Sequence, residues 1–571
     1  MLVSPRHPRA GAPLRVLVVS ERPFPKARLV LEPAAGAERP RVLERGGPPY
    51  LWLAELDRPT AGRYRAALVD ERGETVACSA VQVSAARDRG PKAIPFWPIE
   101  RAWNRAAENL YSAWIEKLFD APLGAQVSFK PLHQVLRDPA RNLLHDHFGA
   151  GEDGTDPKVA VVAQPDCADM PYFLRAYFAW KLRLPFGYRH CDRGSATRAT
   201  RCGPLRTQLD APPETATLPP GAAFSRFLRT RVSFVQSGSG RTAPEDDESD
   251  LYPVKLSRAV LRPGTVYVDP YGHLLVVARW VSQEGERSGL MYAVDGHPDL
   301  SVGRKRFWRG AFMFNPDIRS GAGGFKAFRP LVLRDGRPVA LGNAELGKSS
   351  DFPAPSSEQY QLGLQGFYDR MDRVINPRPL GPRQAMQERL TALYELLLER
   401  VDSVAAGEEH AKKSAFRTIA MPNGPKIFET KGAWEDFSTP ARDLRLLIAI
   451  EDVLQFPARV VKQPKRFALA AGQAPAEARK EMEALLDRFT RDKTIQYVRS
   501  DGVLQTVSMA EVLARRKGLE MAYNPNDCVE LRWGGAPAEM ATCKRRAPEE
   551  QRQRMQAYRV WFATRTRPPL R

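Results

Sequence analysis

The chain has 571 residues, 43% of them hydrophobic, with 49 prolines and 41 glycines; this is enough for roughly two to four domains joined by many turns, and it excludes a single small domain. The 86 Lys and Arg against 66 Asp and Glu leave a formal charge of +20, which favours acidic or polyanionic partners. No run reaches the ~18 apolar residues of a membrane helix, and no aromatic-basic interleaving marks a specific nucleic-acid reader.

Residues 1–19 hold too short an apolar run for a secretory signal. Over residues 1–90, strand-like runs at Leu14–Val19, Ala27–Leu31, Tyr50–Leu56, Arg63–Val69 and Thr75–Val83 alternate with Pro and Gly turns. The stretch Ala61–Val69 resembles the penultimate strand of an immunoglobulin-like (Ig-like) β-sandwich, so this module is expected to bind or position.

Residues 91–335 are expected to form an α+β domain. Ile99, Trp103, Ala106, Leu110, Trp114 and Leu118 recur at helical spacing and predict one apolar, aromatic face. Asp138-Pro139 predicts the start of a helix that ends at Gly149 and carries His145 and His147. Alternating histidines point apart on a helix, and no further ligand spacing completes a set, so no metal is assigned.

The extended run Lys158–Ala163 leads to Cys167, and an aromatic helix is predicted from Tyr172 to Leu184 with Pro171 in its first turn. A thiol at a helix entry is placed where unpaired amides favour the thiolate, the reactive form. Residues 193–250 turn polar and irregular, with Pro212, Pro213, Pro219, Pro220 and an acidic run at 245–248. They read as a solvated loop, at a position that also permits a lid. From Arg262 to Trp280 follow a Pro-Gly turn, a strand, a second turn and a β-branched strand led by His273; Gly289–Asp295 is strand-like again. As a hairpin, these two strands would set Asp295 beside His273 to fix its tautomer. Gly321–Gly324 reads as an ordinary turn, with close backbone approach to a substrate as the alternative.

An Asp-Cys pair opening an aromatic helix closed by Leu184-Pro185, then a Pro-Gly turn and a histidine-led strand, resembles the NlpC-type cell-wall peptidases of the papain-like superfamily. The order Cys, His, Asp is also similar to transglutaminase-like proteins. The resemblance covers about residues 155–300 and departs from the NlpC pattern at Ala168-Asp169, where those enzymes usually show Ser-Gly. It implies Cys167 as nucleophile, His273 as base and Asp295 as orienter. Gln164 is a candidate to join the Cys167 amide in an oxyanion hole.

Residues 336–571 are predicted mostly helical, with an apolar stripe at Met386, Leu390, Leu393, Leu397 and Val401, a helix from Pro475, a β-hairpin near 494–507 and a terminal helix. This region shows no chemistry and reads as a packing or partner-binding domain. Of six cysteines, Cys191 and Cys202 flank one turn-rich segment and Cys528 and Cys543 another, so two local disulfides are expected. Such usage favours an extracytoplasmic, periplasmic setting.

The fold expected is therefore multidomain α+β: an N-terminal Ig-like sandwich, a central papain-like α+β domain and a helical C-terminal domain. The function expected is a thiol-dependent hydrolase or acyl transferase acting without cofactor on an amide or peptide bond, with a peptide or peptidoglycan-like substrate. The alternative is a catalytically inactive papain-like scaffold that binds an anionic polymer or a protein partner.

Overall fold

The structure, a computed structural model, describes every residue except 33–38, 86–94, 125–126, 195–197, 199, 271–272, 286, 298, 319–320, 429, 431 and 569–571. The chain is multidomain α+β. Its N-terminal strands are β1 (Leu2–Ser4), β2 (Leu14–Ser20), β3 (Arg28–Glu32), β4 (Arg41–Arg45), β5 (Tyr50–Leu56), β6 (Gly62–Val69) and β7 (Thr75–Val83). They form two antiparallel sheets, of order β1-β2-β5-β4 and β3-β6-β7. In β3 the buried Leu29 and Leu31 alternate with the exposed Arg28, Val30 and Glu32, so the period of two turns one face to the core. That face meets Val16, Trp52, Ala54 and Leu68 from the neighbouring strands. Two strands escaped the sequence reading. β1 is three residues long, and β4 is largely exposed, leaving no alternation to read.

The central domain is built on a seven-stranded sheet of β8 (Ser128–Phe129), β9 (Leu251–Pro253), β10 (Val266–Val268), β11 (Leu274–Val281), β12 (Leu290–Gly296), β13 (Val302–Arg306) and β14 (Gly324–Phe328). The order is β9-β14-β10-β11-β12-β13-β8, antiparallel throughout. Helices α1 (Arg105–Leu118) and α2 (Met170–Leu182) pack on β11. Every residue of α2 is buried, which is why its sequence is aromatic and aliphatic all round. Its one lysine is satisfied inside: Lys181 Nζ donates to Glu152 at 2.5 Å and Asp153 at 2.6 Å.

Two expectations fail here. Residues 138–149 form successive turns instead of a helix. Asp146 is left-handed, with φ of 49°, and side-chain carboxylates replace helical carbonyls: Glu152 accepts from Phe148 N at 2.8 Å, and Asp153 accepts from Asp146 N at 2.8 Å. Nor is 193–250 a solvated loop. It contains helix α3 (Pro220–Thr230), Ser237–Gly240 is buried, and Asp250 accepts from Tyr172 Oη and Arg189 N. The glycines near 321–324 serve internal packing: a Cβ on Gly323 would stand 2.8 Å from Val268 O.

The C-terminal region holds α4 (Gly363–Ile375), α5 (Pro382–Lys413), α6 (Pro440–Lys462), α7 (Pro475–Asp492), the hairpin β15 (Thr494–Val498) and β16 (Leu504–Ser508), and α8 (Glu549–Ala563). Met386, Leu390, Leu393 and Leu397 of α5 are buried in its core. Arg400 of α5 and Asp443 of α6 form a buried pair at 2.7 Å. Among the described residues no helix is long and apolar enough to cross a membrane.

Candidate active site

Residues 167–169 form a turn into α2. The Asp166 carboxylate accepts from Ala168 N at 2.7 Å and Asp169 N at 3.1 Å, and its carbonyl accepts from Met170 N at 3.1 Å. Asp166 thus holds the turn that leads to the N-cap, Asp169, and Cys167 is the first residue inside that turn. The turn lies against the end of β12. A Cβ on Gly296 would stand 2.9 Å from Asp166 O and 3.4 Å from Cys167 N, so the absence of a side chain there lets the strand and the thiol's own peptide approach.

His273 closes the hairpin between β10 and β11: Val268 pairs with Leu274, and Asp269 N donates to His273 O at 2.8 Å. Asp269 is 0% exposed. Its carboxylate is held by Arg445 of α6 at 2.6 Å, which ties the histidine's loop to the helical region.

Asp295 lies on β12 opposite Gly303 of β13 and is 1% exposed. Lys305 Nζ donates to its Oδ2 at 2.8 Å, and His297 Nε2 lies 3.2 Å from its Oδ1. Neither contact is with His273. The Nδ1 of His273 is buried and has no hydrogen-bond partner among the described residues.

Cys167, His273 and Asp295 line one cavity of about 460 Å³. Its far wall comes from α5, the short helix Ala433–Phe437 and α6, through Glu399, Glu435, Arg442 and Arg445. Six acidic and six basic side chains line it, besides His273 and His297; with the signs balanced, the cavity suits a dipolar ligand better than a polyanion. The side chain of Arg442 makes no hydrogen bond or ion pair to other described residues and is available to a ligand carboxylate.

Electrostatics favour the neutral form of both groups. Burial, then the carboxylates of Asp166, Asp295, Glu435 and Asp169, push the Cys167 thiol well above its ordinary range. Burial, then the cations Arg445 and Lys305, push the His273 imidazole well below its ordinary range, against the pull of Asp295. Asp169 is itself raised to about 9 by burial and by Asp166. The pair therefore rests as thiol and imidazole, so a nucleophilic step here would have to move a proton off sulfur as the bond formed.

Gln164 is exposed and is not among the residues lining the cavity. Cys191 is joined to Cys202 and Cys528 to Cys543, while Cys78 and Cys167 stand outside the disulfides. Among the described residues, Cys528, Glu530 and Cys543 bring metal-ligand atoms together, but both sulfurs are engaged in the disulfide. The His147 ring instead packs with Nδ1 3.1 Å from Ser4 Oγ. The sequence reading missed His297, Lys305, Arg442 and Arg445. His297 had a signal, since two residues along a strand it shares a face with Asp295; the two arginines lie far along the chain and had none. Comparison with protein-family models, curated proteins and solved structures finds no match to this chain.

Proposed function

We propose that the protein is a thiol-dependent hydrolase or acyl transferase of papain-like architecture, cleaving an amide bond in a dipolar peptide, with cell-wall peptides as one candidate class. The observation that carries this reading is that Cys167, His273 and Asp295, from three separate stretches, line one cavity beneath a helix entry. In the reaction, Cys167 Sγ attacks the acyl carbonyl while His273 takes the thiol proton. The C–N bond then breaks, the amine leaves with that proton, and water or a second amine releases the acyl group from sulfur. Asp295 acts through its buried charge, compensating the imidazolium as it forms. The N-terminal module is read as an Ig-like sandwich. Support comes from Tyr64, early in β6, whose Oη donates to Thr60 O at 3.0 Å and accepts from Thr60 N at 2.9 Å, in the manner of a tyrosine corner.

A second reading, a scaffold that binds a partner without turnover, is favoured by the carboxylates around Cys167 and by His273 Nδ1, which has no partner among the described residues. One experiment separates the two. Wild-type, Cys167→Ala and His273→Ala proteins are incubated with dipolar peptides, including cell-wall peptides, and released amines are quantified. Catalysis predicts turnover by the wild type and a loss of roughly a thousandfold or more in each variant. No turnover in the wild type, with peptide binding unchanged in Cys167→Ala, would leave the scaffold.

A further inference from the structure

A second cavity, of about 310 Å³, opens between the ends of β12 and β13, α4, α5, α6 and the segment 465–467. It shares Arg306 and Trp308 with the wall of the cysteine cavity, but its charge is different in kind. Eight Lys and Arg side chains line it against four Asp and Glu.

Three of the four acids are already committed to arginines, and the fourth, Glu388, is hydrogen-bonded to Ser288. Asp452, 6% exposed, is shared by Arg459 at 2.7 Å, Arg389 at 3.4 Å and Arg309 at 3.9 Å. Asp372 lies 3.5 Å from Arg389 and 3.8 Å from Arg466, and Arg466 also pairs with Asp369. Arg373 and Lys465 are exposed, and their side chains make no hydrogen bond or ion pair to other described residues. The interior is apolar and aromatic, with Met291, Phe307, Tyr368 and Phe467. The internal carboxylates offset only part of this positive charge, so the excess of cations over acids favours an anion, and guanidinium forks match phosphate and carboxylate edges two bonds at a time.

We propose that this cavity is a binding site for an organic dianion, a small molecule with an apolar or aromatic body and a phosphate or a pair of carboxylates, held by Arg373, Lys465 and the arginines around Asp452. The site stands independently of the thiol chemistry.

Titration calorimetry on the full chain tests it, with phenyl phosphate and phthalate as the two dianions and inorganic phosphate as the bodiless control. The expected result is saturable binding of at least one aromatic dianion, tighter than inorganic phosphate. Binding should weaken at least tenfold in the Arg373→Ala, Lys465→Ala double variant, persist in Arg373→Lys, Lys465→Arg, and be unchanged in Cys167→Ala. Both alanine positions are exposed, so the variant keeps its fold, checked by circular dichroism. Absence of binding by both dianions, an affinity no better than that of inorganic phosphate, or indifference to the double alanine variant would overturn the proposal.

Discussion

At Cys167 the local field opposes ionisation, and that has a kinetic signature. With the thiol raised well above its ordinary value and His273 lowered well below its own, neither group titrates between about pH 6.5 and 9. The expected kcat/KM profile therefore carries no limb from either group across that window, measured with any cleaved peptide; Asp169, raised to about 9, bounds it at the alkaline end. A limb near pH 6.5 would show an ordinary imidazole, and one near pH 8.5 an ordinary thiol. Lys326 offers a second residue-scale test. It is fully buried on β14, its Nζ donates to Thr242 O at 3.0 Å, and burial lowers it to about 7 from 10.5. Between those values the unfolded chain binds the extra proton, so this residue makes stability rise with pH from about 7 to about 10 and exerts its full penalty below 7. Lys326→Met is expected to stabilise the fold by roughly 2–4 kcal/mol at pH 7, read by urea unfolding; destabilisation would show that the lysine serves the core.

Among the elements, β12 carries the most consequence, because its last residue touches the peptide of the candidate nucleophile. Gly296→Ala puts a methyl 2.9 Å from the Asp166 carbonyl, closer than packing tolerates. It is expected to cut turnover at least tenfold, or about 1.4 kcal/mol in the barrier, with the unfolding midpoint changed far less; wild-type kinetics would mean that the turn yields freely. The strands around this point were legible because β11 is β-branched and apolar and a Pro-Gly turn precedes β10. The partners of Asp295 were not. A hairpin reading sets it beside His273, whereas its hydrogen bonds run to Lys305 of β13 and to His297, one residue past the end of its own strand. Which cation reaches a buried carboxylate depends on sheet order, and periodicity does not encode that order. The failed helix at 138–149 has a similar cause: its cap and proline were read correctly as local signals, but the acceptors that unwound it follow at Glu152 and Asp153.

For the molecule as a whole, the helical region, whose sequence shows no chemistry, supplies one wall of the candidate site. Helix periodicity in residues 336–571 announced α5, α7 and α8, yet gave no hint that α6 would reach Asp269. The Arg445–Asp269 ion pair is buried, and removing one partner of such a pair costs roughly 3–5 kcal/mol. Arg445→Met is expected to lower both stability and turnover, whereas the double change Arg445→Met, Asp269→Asn should recover stability in part, measured by denaturation and initial rates together. Full stability in the single variant would mean that the loop bearing His273 stands without the helical region.

Because that wall arrives late in the chain, order of synthesis has a bearing on when the thiol gains a workplace. A ribosome exposes the sulfur and the imidazole long before α6, so the growing polypeptide carries an open, unroofed groove until residues near 445 have emerged and docked. Any acyl-transfer competence is thereby postponed to completion of the fold, and fragments ending short of α6 are expected to be inert bystanders.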